Sequence, residues 1–82
     1  MKDEKIIARI PRDTNTEIVI RTATHWNIDI IDIRWYNNGN PTRKGVRFNK
    51  EEAINVIKAL NMALTNRGMK DGHNNKNDET ED

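Results

Sequence analysis

Up to Phe48 the apolar residues of this chain tend to fall at alternate positions; from Ala53 onward they fall three and four apart. The first period belongs to strands, whose side chains alternate between two faces, and the second to a helix. A chain that makes this switch once folds as a sheet followed by a helix. Ile6-Ile7-Ala8-Arg9-Ile10 is the first apolar run, and Pro11 stops it. Ile18, Ile20 and Thr22 then alternate with Glu17, Val19 and Arg21, and their β-branched side chains suit a pleated surface. Ile28-Asp29-Ile30-Ile31-Asp32-Ile33-Arg34-Trp35-Tyr36 is the strongest strand signal. Its alternation slips at Ile30-Ile31, which fits either a bulge or a strand covered on both faces. Asn37-Asn38-Gly39-Asn40-Pro41 reads as a tight turn, because Asn and Gly tolerate positive φ and Pro lacks the N–H a ladder needs. A fourth strand follows over Thr42–Phe48, with Val46 and Phe48 on one face and Arg43, Gly45 and Arg47 on the other.

Ala53, Ile54, Val56, Ile57, Leu60, Ala63 and Leu64 form one helical face. Asn49 suits the N-cap, Glu51 and Glu52 suit the positive end of the helix dipole, and Arg67-Gly68 ends the segment. The helix therefore spans about residues 50–66, roughly 25 Å at 1.5 Å per residue. The fold class is α+β: a four-stranded antiparallel sheet in hairpin succession, then one C-terminal amphipathic helix. One helix covers one sheet face, so the other must meet water, a ligand or a second subunit. The helix's apolar residues spread too widely for one sheet face to cover. Ile54, Ile57, Leu60 and Leu64 are therefore the expected interface of a homodimer. Residues 1–66 form the expected single domain. From Met69 on, Asn, Asp, Lys and Glu dominate, so residues 67–82 read as a disordered polar, acidic tail.

Composition narrows the function. Apolar residues are 34% of the chain and charged residues 33%, a lean supply for an isolated core and a reason to expect a second chain or a ligand. The absence of cysteine excludes a disulfide scaffold, a thiolate metal site and a cysteine nucleophile. No apolar run approaches the ~20 residues of a membrane span and Met1-Lys2-Asp3-Glu4 has no leader pattern, so an intracellular protein is expected. The net charge of +1 hides an asymmetry, because Asp78, Glu79, Glu81 and Asp82 crowd the end while Arg34 to Lys50 contains five cations and no acid. A basic body points to a polyanionic partner.

Nothing in the chain is built for catalysis. His25 and His73 are far apart, no cluster has metal-ligand spacing, and Asp29 and Asp32 fall on opposite faces of one strand. Gly39 and Gly45 stand alone, without a phosphate-cradling loop. We expect neither an enzyme, nor a metal, nor a cofactor.

Cations and aromatics are more informative. Arg34 and Tyr36 share a face of the third strand, Arg43, Lys44 and Arg47 lie on the fourth, and Arg21 on the second. Trp26 sits at a hairpin end between His25 and Asn27, whereas Trp35 and Phe48 suit the core better. Guanidinium and ammonium groups neutralise phosphates, and aromatic faces stack on unpaired bases of any sequence. Arg21, Trp26, Arg34, Tyr36, Arg43, Lys44 and Arg47 are thus the candidate nucleic-acid-binding residues.

Asp32-Ile33-Arg34-Trp35-Tyr36, a turn, and then Pro41-Thr42-Arg43-Lys44-Gly45-Val46-Arg47-Phe48-Asn49-Lys50-Glu51-Glu52 resembles the core of the positive cofactor four family of transcriptional coactivators. The resemblance covers about residues 16–64. It implies a curved sheet, a homodimer paired through its helices, and binding of single-stranded or melted DNA with little sequence preference. It also implies DNA contact by Arg34 and Lys44, with Trp26 or His25 near the family's hairpin aromatic. Asn37 stands where many relatives have a second aromatic, and Trp35 where an acid is common. The hairpin after Tyr36 is shorter than in eukaryotic members, and their Ser-rich acidic leading region is lacking, so the likeness is to a bacterial or phage-type member.

The expectation is a homodimeric, non-catalytic single-stranded-DNA-binding protein acting in transcription regulation or in replication and repair, with RNA polymerase or a replication protein as a further partner. Two rivals stand beside it. One is an RNA-binding module of the same architecture, because stacking and phosphate contacts do not read the 2′-OH. The other is a protein-interaction or dimerisation module that adjusts polymerase without touching nucleic acid.

Overall fold

In a computed structural model, described over residues 1–66, strands β1 (Lys2–Pro11), β2 (Thr16–His25), β3 (Ile28–Asn37) and β4 (Asn40–Phe48) precede helix α1 (Lys50–Asn66). The strands form one curved antiparallel sheet in the order β1-β2-β3-β4, so each lies beside its sequence neighbour. The α+β class and the helix bounds agree with the sequence reading. The expected tail lies outside the described residues.

Turn chemistry sets the register. At the first connection Asp13 Oδ1 accepts from the Asn15 and Thr16 N–H groups, both at 2.9 Å. Backbone hydrogen bonds to asparagine Oδ1 and glutamate Oε1 likewise close the helix start. Glu52 N–H donates to Asn49 at 2.8 Å and Asn49 N–H donates to Glu52 at 2.9 Å, a reciprocal capping box. The other two hairpins turn on two residues each, Trp26-Asn27 (φ 56° and 61°) and Asn38-Gly39 (φ 52° and 83°). Two successive positive φ values make the turn whose twist matches the strands.

The strands differ from the sequence reading at their ends and at one expected irregularity. β4 begins at Asn40 rather than Thr42 and contains Pro41, paired with Tyr36. An outer strand accommodates proline because half its N–H groups face away from the ladder. β1 runs from Lys2 through Pro11 rather than from Ile6 to Ile10. The slip at Ile30-Ile31 is no bulge, because β2 and β3 pair without a break from Thr16↔Asn37 to His25↔Ile28. The breaks lie in the outer strands, at Lys2/Lys5 and Ile6/Ala8 in β1 and opposite Arg34/Tyr36 in β4.

Alternation in this register gives the sheet two unlike faces. Val19 and Arg21 of β2 share one with Asp32, Arg34 and Tyr36 of β3 and with Arg47 of β4. Ile18, Ile20, Ile31, Ile33, Trp35 and Val46 share the other. The four buried residues, Val19, Ala23, Asp32 and Tyr36, all belong to the arginine face. The isoleucine face has none. Trp35 and Phe48, expected in the core, are half-buried.

The helix does not cover the sheet as expected. It has no buried residue; Ala53, Val56 and Ala63 are half-buried, while Ile54, Ile57, Leu60 and Leu64 remain 44–60% exposed. A groove of about 660 Å³ runs beside it, lined in part by Ile31, Ala53, Ile54 and Ile57.

Candidate nucleic-acid interface

The arginine face is organised around Asp32, whose side chain is 0% exposed. Arg34 is two residues along the same strand and therefore on the same face, and the register brings Arg21 from β2 and Arg47 from β4 directly opposite Asp32. Arg34 grips the carboxylate side-on, Nη2 donating to Oδ1 at 2.9 Å and Nε to Oδ2 at 3.3 Å. Arg21 Nη2 donates to Oδ2 at 3.0 Å and Arg47 Nε to Oδ1 at 3.3 Å. Burial would push the Asp32 carboxyl up, but the hydrogen bonds from Arg34 and Arg21, with their charges, outweigh it and hold it below its ordinary value.

Arg34 reaches across β4, where its Nη1 donates to Thr42 O at 3.0 Å. Gly45 lies beneath it. A Cβ there would stand 2.7 Å from Ile33 O and 2.9 Å from Arg34 Cζ. At the rim, Arg21 Nη1 also meets Glu4 at 3.1 Å, and Arg9 meets Glu17 at 2.6 Å. The face therefore carries four arginines against three carboxylates. Arg47 is its open member, with 46% of its side chain exposed against 14% for Arg21 and 15% for Arg34.

The aromatics separate. Tyr36 shares the arginine face but is buried, with the Arg9 guanidinium 5.7 Å from its ring centroid, so it offers no free face for stacking. Trp26 is 82% exposed at the β2–β3 tip, edge-on to His25 at 5.8 Å. Its φ of 56° is costly for so bulky a residue. Trp35 lies on the isoleucine face under Arg12, whose Cζ is 4.3 Å from the ring centroid. Lys44 borders the same shallow pocket as Arg12, Trp35 and Thr42.

Of the candidates read from the sequence, Arg21, Arg34, Arg47 and Tyr36 are thus gathered on one face. Lys44 lies with Trp35, Arg43 is exposed opposite the β3–β4 irregularity, and Trp26 stands at a sheet end. Among the described residues neither Arg43 nor Lys44 forms an ion pair, so the outer strand carries uncompensated positive charge. Sequence reasoning missed Asp32 as the hub and Arg9 and Arg12 as covers for the aromatics. The period-two spacing of Asp32 and Arg34 was the one available signal for the hub. Among the described residues no group of three His, Cys, Asp or Glu could hold a metal ion, and no helix is long and apolar enough to cross a membrane. No protein-family model, curated protein or solved structure matches the chain.

Proposed function

We propose that this protein binds single-stranded DNA without sequence specificity, as a homodimer, in support of transcription or of replication and repair. The observation that carries the reading is Trp26, kept open to solvent in a left-handed turn at one end of a sheet face lined by arginines. Asp32 lies four strand residues from Ile28 at that tip, roughly 13 Å along the sheet. Backbone phosphates would meet Arg47 and the uncompensated Arg43, and a base would stack on Trp26. The resemblance to the positive cofactor four coactivators supports DNA as the ligand and the exposed helix residues as the dimer contact. The open apolar face of α1 suits a second copy of the chain, because each copy would shield the other's Ile57 and Leu60.

Titration of fluorescent oligo-dT at increasing salt tests the reading. Arg47→Ala should lower the salt slope by about 0.7. Trp26→Ala should weaken binding by ~1–3 kcal/mol at nearly constant slope. Duplex should bind more weakly, and competition with matched RNA measures the preference between the two. If both variants, still folded, bound oligo-dT like wild type, the arginine face would not be the site.

A further inference from the structure

We propose that Asp32 is a positioning residue of the nucleic-acid surface: a buried negative charge that strengthens binding of a polyanion by holding three guanidinium groups in fixed orientation. The inference rests on the binding role assigned to this face and adds to it the residue that organises the site.

Both Asp32 oxygens are committed, receiving four donors from three strands. The arginines are not used up by this. An arginine carries five N–H donors, and Arg47 gives one of them to Asp32. Arg34 gives two to Asp32 and one to Thr42 O, which leaves an N–H on each terminal nitrogen. The bare Gly45 beneath Arg34 leaves that guanidinium room to lie against the sheet, since a Cβ there would stand 2.9 Å from Arg34 Cζ. A free arginine loses much rotamer freedom when it grips a phosphate, and one already held by a buried carboxylate has little left to lose. Three cations set against the two carboxylates Asp32 and Glu4 leave the cluster a net positive charge, and the phosphate meets it at Arg47, its open member.

Bulk electrostatics makes the opposite forecast, which gives the experiment its force. Removing an acid from a polyanion-binding face raises its net charge and should tighten binding. If Asp32 positions the arginines, removal should loosen binding. Asp32→Asn keeps the shape but presents an amide N–H₂ to arginine donors, releasing at least one of them.

The experiment measures oligo-dT affinity at low salt for wild type and Asp32→Asn, with folding checked by circular dichroism. The expected result is about tenfold weaker binding in the variant despite its extra positive charge, matching the loss of one charge-assisted hydrogen bond. Arg47→Lys is the second variant; it keeps the charge, lies half-exposed on an outer strand, and replaces the planar fork with a point charge. Several-fold weaker binding at unchanged salt slope is expected. Should Asp32→Asn fail to fold, Arg47→Lys decides alone, and affinity equal to wild type overturns the proposal. A wild type that binds no oligo-dT overturns the binding role and this inference together. A wild type that binds, beside a folded Asp32→Asn that binds as well or better, overturns this inference alone.

Discussion

Trp26 and Gly45 are constrained in different ways, Trp26 by its backbone conformation and Gly45 by the space a side chain would need. Gly45 is required by what crosses it, and Gly45→Ala should cost about 1–3 kcal/mol in urea denaturation, because Ile33 O is backbone and cannot swing aside. Trp26 occupies a conformation that glycine adopts freely, at a strain of about 1–3 kcal/mol. Trp26→Gly should therefore raise the unfolding midpoint while weakening oligo-dT binding. A variant that gained stability and kept its affinity would remove Trp26 from the site. Asp32 makes the third case. Its carboxyl is held down in the folded chain, so its contribution is complete above the unfolded value of about 3.9 and is lost as pH falls through the folded value. Wild-type stability should decline with acid below about pH 4, and a folded Asp32→Asn should show a shallower decline across that window.

Helix α1 was the most legible element, because its start is written in a reciprocal pair, Asn49 and Glu52, and its body in an unmixed period. Asn49→Ala should lower stability by about 1 kcal/mol, readable as a shift in thermal midpoint. The strands were legible in number and order, less so at their ends. Pro41 looked like a stop because its edge position is a fact of tertiary pairing. The site divides in the same way. That Asp32 and Arg34 share a face follows from alternation within one strand and needs no structure. That Arg21 and Arg47 join them depends on register between strands, fixed by the two-residue turns at Trp26-Asn27 and Asn38-Gly39. Asn38-Gly39 announces such a turn; Trp26-Asn27 does not, since tryptophan has no intrinsic preference for it. Tyr36 looked available for stacking because nothing local reveals Arg9, which reaches it from a strand two places away.

Among the described residues, full burial falls on the polar face, while Ile18, Ile20, Ile31 and Ile33 of the other face are only half-buried and Ile54, Ile57, Leu60 and Leu64 of the helix stay open. A second copy would reverse that imbalance, and light scattering at micromolar concentration should find a dimer. Ile57→Glu should give a monomer or an unfolded chain, and the wild-type melting temperature should rise with protein concentration. The simple strand order also bears on how the chain reaches its final state. Every strand pairs with its sequence neighbour and no crossover is needed, so closing the sheet involves only short loops. Burying the helix in the proposed dimer, by contrast, awaits an encounter between two chains. Refolding should then divide by molecularity: a rapid phase, independent of concentration, in which hairpins zip together, and a slower phase whose half-time halves when the protein concentration doubles. Stopped-flow tryptophan fluorescence at two concentrations would separate them, and an excess of partly folded monomer at low concentration would be the form most exposed to aggregation through its free strand edges.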